Sequence, residues 1–253
     1  MIARKTLRFI AGLLLAVFAV APIGAAEPAT TGSWTIRPAE TQGKVQLTFV
    51  YGRAVHSTDW SVSALPGLQL NPPERHDVRF VIERDAGRIE AEGVSTTGTA
   101  AGSFRFTPEP GYTGELRKLG LGEIKPEAQL SFALHDVSLA YTREMIGLGI
   151  AKLNTDMLIA FRIHGVTSAL VTAAQHTGVT PDAGQLVAFA IHGVTPDYIA
   201  AIEKLGYDHP TPDQLIAMRI HGVTPDYIAS VKARGVRDTS LDQLVAMKIQ
   251  GID

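Results

Sequence analysis

The octapeptide His-Gly-Val-Thr-Pro-Asp-Tyr-Ile occurs twice, from His192 and from His221, 29 residues apart. Working outward, His164-Gly-Val-Thr opens a 28-residue copy, His135-Asp-Val-Ser opens one of 29, and a degenerate copy starts at Phe106. Five units follow, 106–134, 135–163, 164–191, 192–220 and 221–249, and Gln250-Gly251-Ile252-Asp253 repeats the opening of a unit. A fixed period in this range restricts the chain to a stacked architecture, because one unit cannot bury its apolar face alone.

Each unit reads as two short helices. In the fourth, Thr195 is an N-cap, Pro196 takes the first helical position and Gly206 follows the end. Thr211 and Gln214 have capping-box spacing, as do Ser240 and Gln243. Helices of about ten residues are marginal alone, so stacking must hold them. Aligned, the second helices give an apolar column (Leu130, Ile159, Val187, Ile216, Val245), a small one (Ser131, Ala160, Ala188, Ala217, Ala246) and a bulky one (Phe132, Phe161, Phe189, Met218, Met247). Small residues admit close approach and bulky ones fill the space beside them, which predicts the continuous core of an α-solenoid.

Three further columns are candidates for function. His135, His164, His192 and His221 stand at helix ends, where imidazole can meet the last carbonyls. Equal spacing of roughly 8–10 Å does not converge them on one ion, so the reading is structural and no metal or cofactor is implied. Tyr112, Tyr141, Tyr198 and Tyr227 form a column broken by Leu170; Tyr198 and Tyr227 are either interaction residues or space-fillers with their hydroxyls at the edge. Ala133, Arg162, Ala190, Arg219 and Lys248 occupy one position, where the cations serve a carboxylate-bearing partner or solubility alone. The last unit still carries Leu244, Val245 and Met247, which predicts that a partner or a second copy covers that end.

Ahead of the repeats the periodicity is two. Val45, Leu47, Phe49 and Tyr51 alternate with Gln46, Thr48 and Val50, and Val78, Phe80 and Ile82 with Arg79, Val81 and Glu83; Ile89 and Ala91, and Phe104 and Phe106, alternate with polar residues. With Trp34–Ile36 and Asp59–Val62 this gives six short strands over residues 34–105, after a linker at 27–33. Arg84-Asp85-Ala86-Gly87 reads as a hairpin turn and Gly98–Gly102 as a looser one. The fold class is therefore α+β, a small antiparallel β-sandwich or partly open barrel followed by an α-solenoid of helix-turn-helix repeats over 106–253.

Residues 1–26 have a different chemistry. Arg4, Lys5 and Arg8 precede an uncharged run from Phe9 to Ala21, and Gly24-Ala25-Ala26 supplies small residues for cleavage. That order marks a signal peptide and a periplasmic or secreted destination, with no membrane attachment after cleavage. Cleavage removes three of the 23 basic residues and none of the 25 acidic ones, leaving a net charge of −5. With no run of Lys or Arg left, nucleic acid is not an expected partner. The chain has no cysteine, which excludes disulfides, thiol nucleophiles and lipidation at cysteine. It holds no G-x-S-x-G elbow, H-E-x-x-H helix or P-loop. A hydrolase built on His56 or His76 would need an acid and a nucleophile to converge there. Trp34 and Trp60 could instead line a small-molecule or glycan groove, or fill the core.

The His-Gly-Val-Thr-Pro-Asp-Tyr-Ile units, with Asp-Gln-Leu-Ile-Ala-Met-Arg-Ile at 213–220, resemble the extracytoplasmic repeat region of some BlaR1-type M56 sensor proteins. The segments Gly32-Ser-Trp-Thr-Ile, Lys44-Val-Gln-Leu and Gly102-Ser-Phe-Arg-Phe-Thr-Pro are similar to the domain before those repeats. The resemblance implies an accessory or sensory interaction role and carries over no catalytic residue. The expectation is a non-enzymatic exported module with a protein partner and possible self-association through the C-terminal repeat.

Overall fold

The computed structural model describes residues 29–252 apart from 123, 125, 177, 179, 180 and 237. The expected signal peptide lies outside the described residues. Six strands come first: β1 (Thr30–Pro38), β2 (Lys44–Tyr51), β3 (Ala54–Ser61), β4 (His76–Arg84), β5 (Gly87–Thr96) and β6 (Thr99–Pro108). Every pairing is antiparallel, and the order across the sheet is β3-β2-β1-β6-β5-β4. Thr30 to Ser33, expected in a linker, already belong to β1, because their backbone pairs with Phe106 to Ser103.

One sheet forms rather than the two of a sandwich. Its apolar face is covered by the connection carrying Leu65 and Leu68 and by the first helical unit, so no second sheet is needed. Although β3 and β4 are opposite edges, the Arg84 guanidinium at the end of β4 stands 5.8 Å from the Trp60 ring on β3. The sheet is therefore curled, and its edges do not pair.

Large residues sit beside small ones across the strands. Trp34 lies opposite Phe49 on one side and Gly102 on the other, and Gly102 in turn faces Gly93. The fully buried Trp34 donates its indole N–H to the carbonyls of Glu92 and Ser103, at 3.2 and 3.0 Å. A Cβ at Gly102 would come within 1.9 Å of the Glu92 oxygen. Gly102, expected in a turn, is thus the floor of the tryptophan's seat; the turn itself is at Gly98, in the left-handed conformation.

Ten helices follow among the described residues, two to each unit: α1 (Pro110–Lys118) and α2 (Pro126–Leu134), α3 (Leu139–Gly147) and α4 (Thr155–His164), α5 (Ser168–Gln175) and α6 (Ala183–His192), α7 (Pro196–Lys204) and α8 (Pro212–Ile220), and α9 (Pro225–Ala233) and α10 (Leu241–Ile249). Second helices neighbour second helices from α4 to α10, and first helices neighbour first helices at α1–α3, α5–α7 and α7–α9. Thr195 caps α7, the capping boxes of Thr211 with Gln214 and Ser240 with Gln243 form, and Gly165, Gly193 and Gly222 turn the chain with φ near +70°.

The expected bulky column is buried at Phe132, Phe161, Phe189 and Met218. A second buried column, Leu158, Leu186, Leu215 and Leu244, runs three residues earlier on the same helix face. Its counterpart in the first unit is Gln129, equally buried, whose amide donates to the Ala86 and Glu109 carbonyls at 2.7 and 2.9 Å. The polar replacement is thus matched by one acceptor in the β4–β5 turn and one at the start of α1, and α2 seats on β5 and β6 there. Leu244 lies fully buried, so the exposed apolar end expected of the last unit is reduced to the half-buried Val245 and Met247 beside the exposed Ile249 and Ile252.

Candidate functional site

Three sequence columns meet in one contact, repeated along the array. The Tyr141, Tyr198 and Tyr227 hydroxyls donate to the carbonyls of Val166, Val223 and Ile252, at 3.1, 2.7 and 2.7 Å. Over each ring lies the cation of the same unit: Arg162 at 5.1 Å, Arg219 at 4.9 Å and Lys248 at 4.5 Å. The two arginines also donate Nε–H to the His135 and His192 carbonyls, at 3.1 and 3.2 Å. Burial pushes the Tyr141 and Tyr198 phenols up to about 12, so both stay protonated donors. Such a contact joins each unit to its neighbours like the rung of a ladder. Tyr198 and Tyr227 are buried in it, with Arg219 and Lys248 turned onto them as Arg162 is onto Tyr141. His164, His192 and His221 stand at helix ends with their side chains exposed.

What the array does present to solvent is isoleucine. Ile163, Ile191, Ile220 and Ile249 occupy the position after the cation column and are 54%, 55%, 53% and 61% exposed. The same position in the first unit is Leu134, only 4% exposed. One apolar position per unit thus runs along the second helices, covered at the first and open at the next four. Isolated exposed aliphatics need no explanation, but a row repeated at one position is a patch. Its signal was in the sequence, as Arg-Ile-His, Ala-Ile-His, Arg-Ile-His and Lys-Ile-Gln.

A groove of about 570 Å³ begins where the row starts, bounded by β3, Arg84, the turn after α2, Arg162 and Ile163. From β3, His56 and Trp60 reach its wall. The Tyr51 hydroxyl lies 2.9 Å from His56 Nε2 and 3.4 Å from Ser131 Oγ, and His56 Nδ1 lies 3.4 Å from His135 Nε2. Burial pushes the His56 pKa down, and burial, aided by His56 and Arg162, takes His135 to about 4. Both imidazoles are therefore neutral near pH 7. Asp136 takes the left-handed conformation that glycine holds in later units, with φ 54°. Its carboxylate sits between Arg84 and Arg162, at 3.0 and 2.8 Å, tying sheet to second unit.

Tyr51, His56 and His135 thus form a chain of neutral polar groups along the groove. Among the described residues, no three His, Asp or Glu side chains are placed to share a metal ion. His76 lies on β4, the opposite edge of the sheet from His56. Trp34 is sealed in the core and cannot line a ligand groove, because its indole is committed to two backbone carbonyls; Trp60 alone of the pair borders the groove. No single helix among the described residues is long and apolar enough to cross a membrane. No protein-family model matches the chain, and neither a curated protein nor a solved structure does.

Proposed function

We propose that this protein is a non-enzymatic, exported interaction module: a partly open β-barrel fused to an α-solenoid of five helix-turn-helix units that docks a partner protein. The observation that carries this reading is the isoleucine row, four β-branched side chains at one repeat position, each more than half exposed. Desolvating such a row is favourable by about 25 cal/mol per Å² of apolar surface, and only a partner can do so. The likeness of the repeats to sensor-protein repeat regions supports an accessory role in the bacterial envelope, and the N-terminal basic-apolar-small pattern supports periplasmic or secreted placement.

The test replaces Ile163, Ile191, Ile220 and Ile249 together by serine in the mature chain and compares capture from a periplasmic extract. Surface positions of this kind leave stability nearly unchanged, so circular dichroism and Tm should match the parent. Loss of a captured protein from the four-serine variant is the expected result. Equal capture by both would sink the reading, and concentration-dependent dimers that vanish in the variant would make the partner a second copy. A second reading, a small molecule or glycan held at the β domain, is favoured by Trp60 in the wall of the groove. It predicts a ligand whose binding is lost with Trp60→Ala and kept in the four-serine variant.

A further inference from the structure

The third unit, 164–191, departs from its neighbours at two places that belong together. Leu170 stands where tyrosine does elsewhere, and Ala190 stands where the second, fourth and fifth units have Arg162, Arg219 and Lys248. The first unit keeps Tyr112, whose hydroxyl donates to the Val137 carbonyl at 2.6 Å, and lacks only the cation. The third alone has neither half of the rung. In its place is a hollow of about 190 Å³, open to the surface and lined by Leu170, Phe189, Ala190 and Val194, with His164 and Pro196 at its rim.

Two of the lining residues carry backbone acceptors that the neighbouring units use. The Val194 carbonyl corresponds to those of Val166 and Val223, which accept from Tyr141 and Tyr198. The His164 carbonyl corresponds to those of His135 and His192, which accept from Arg162 and Arg219. Leucine and alanine have no donor to offer them. The volume equals about six waters at roughly 30 Å³ each, the size of an aromatic ring. The hollow also adjoins Ile191, at the middle of the exposed row, where binding energy concentrates in interfaces.

We propose that the vacant rung of the third unit receives a tyrosine side chain of the docked partner, with a basic side chain of that partner over the ring. The neighbouring units display the bound state: phenol oxygen on the valine carbonyl, cation above the ring, cation N–H on the histidine carbonyl. This inference rests on the interaction reading and names what the partner must carry.

Tyramine, a phenol and an ammonium in one molecule, is the probe. Titrated into the whole mature chain to about 10 mM, a range suited to so small a ligand, it should shift the amide resonances of Leu170, Ala190 and Val194. Phenethylamine, lacking the hydroxyl, should bind about five- to tenfold more weakly, the worth of one hydrogen bond. The double variant Leu170→Tyr/Ala190→Arg rebuilds the rung; it should fold with a raised Tm and lose tyramine at least about tenfold. Equal binding to that variant, or no shift at those residues, would overturn the proposal. Since Ile191 does not line the hollow, the four-serine variant should bind tyramine as the parent does. Failure of the row and failure of the hollow are thereby separate results.

Discussion

Trp34 and Tyr198 do the same work in the two halves of the molecule. Each is a large buried ring whose polar hydrogen ends on a backbone carbonyl. In the sheet the acceptors, Glu92 and Ser103, are 58 and 69 residues away, and this pair of bonds is made once, beside Gly93 and Gly102. In the repeats the acceptor is 25 residues on, and the same bond recurs at Tyr112, Tyr141 and Tyr227. A unique seat must be kept intact, whereas a repeated one can be vacated in one copy while its neighbours hold the stack. The third unit shows the second case. Redundancy of this kind is what frees a position for binding.

The largest expected effect tests the unique seat. In Gly102→Ala the new methyl meets the Glu92 oxygen and the Gly93 Cα, both backbone, so β5 and β6 must part where Trp34 crosses them. A loss of at least about 3 kcal/mol, or no folded protein, is expected. Urea denaturation measures it. A folded Gly102→Ala protein within about 1 kcal/mol of the parent would erase the distinction drawn between the halves.

The next effect lies at the joint between them, on His56 and His135. Both imidazoles titrate lower in the folded chain than in the unfolded one, so the unfolded chain takes up protons first as pH falls. Their contribution is intact above about pH 6.5, is lost on the way down to about pH 4, and stops changing below that. The expected loss is on the order of 1–3 kcal/mol, reduced from the full shift by partial solvent access. Facing the pair are Tyr51 and Ser131, with Arg162 beside His135; of these Tyr51, raised by burial, does not titrate in the window. Unfolding curves from pH 7 to 4 should steepen for the parent and flatten for His135→Asn. An unchanged slope in that variant would place the acid sensitivity elsewhere.

What the sequence disclosed follows the range of the interactions. Unit boundaries, caps and turn glycines were legible because each depends on residues within one helix or turn. The strands were legible where alternation was strong. On β3 the reading began at Asp59, yet the strand begins at Ala54, because its edge position leaves His56, Thr58 and Trp60 only half-buried and the contrast weak. The exposure of the isoleucine row is not legible in the sequence since the second helices are apolar on several faces: in Leu215-Ile216-Ala217-Met218-Arg219-Ile220 no pattern separates the inner Leu215 and Met218 from the outer Ile220. The meeting of His56 with His135 spans 79 residues and two domains, and no local rule forecasts it. Arg162, Arg219, Lys248, Tyr198 and Tyr227 stand out in the sequence as candidate interaction positions. Within the fold each cation lies over the tyrosine of its own unit, Arg162 over Tyr141, Arg219 over Tyr198 and Lys248 over Tyr227, since a cation three-quarters of a unit away from a ring in sequence lies above it once the unit folds.

The smallest effect asks whether two copies of the same rung are equal. Arg219→Met keeps the apolar stem on Tyr198 and removes the cation and its bond to the His192 carbonyl. A half-exposed contact of that kind contributes about 0.5–1 kcal/mol. Arg162→Met removes the same features and also one of the two cations on Asp136, a residue held in the left-handed conformation where its sister units use glycine. That conformation costs a non-glycine residue roughly 1–2 kcal/mol, so the ion pairs that hold it should matter more than an ordinary surface pair. Arg162→Met should therefore cost about 1 kcal/mol more than Arg219→Met in paired urea titrations, and the added cost should shrink when Asp136→Gly is made as well. Equal costs would mean that Arg84 alone holds the carboxylate, and that the first joint is built no more firmly than the rungs beyond it.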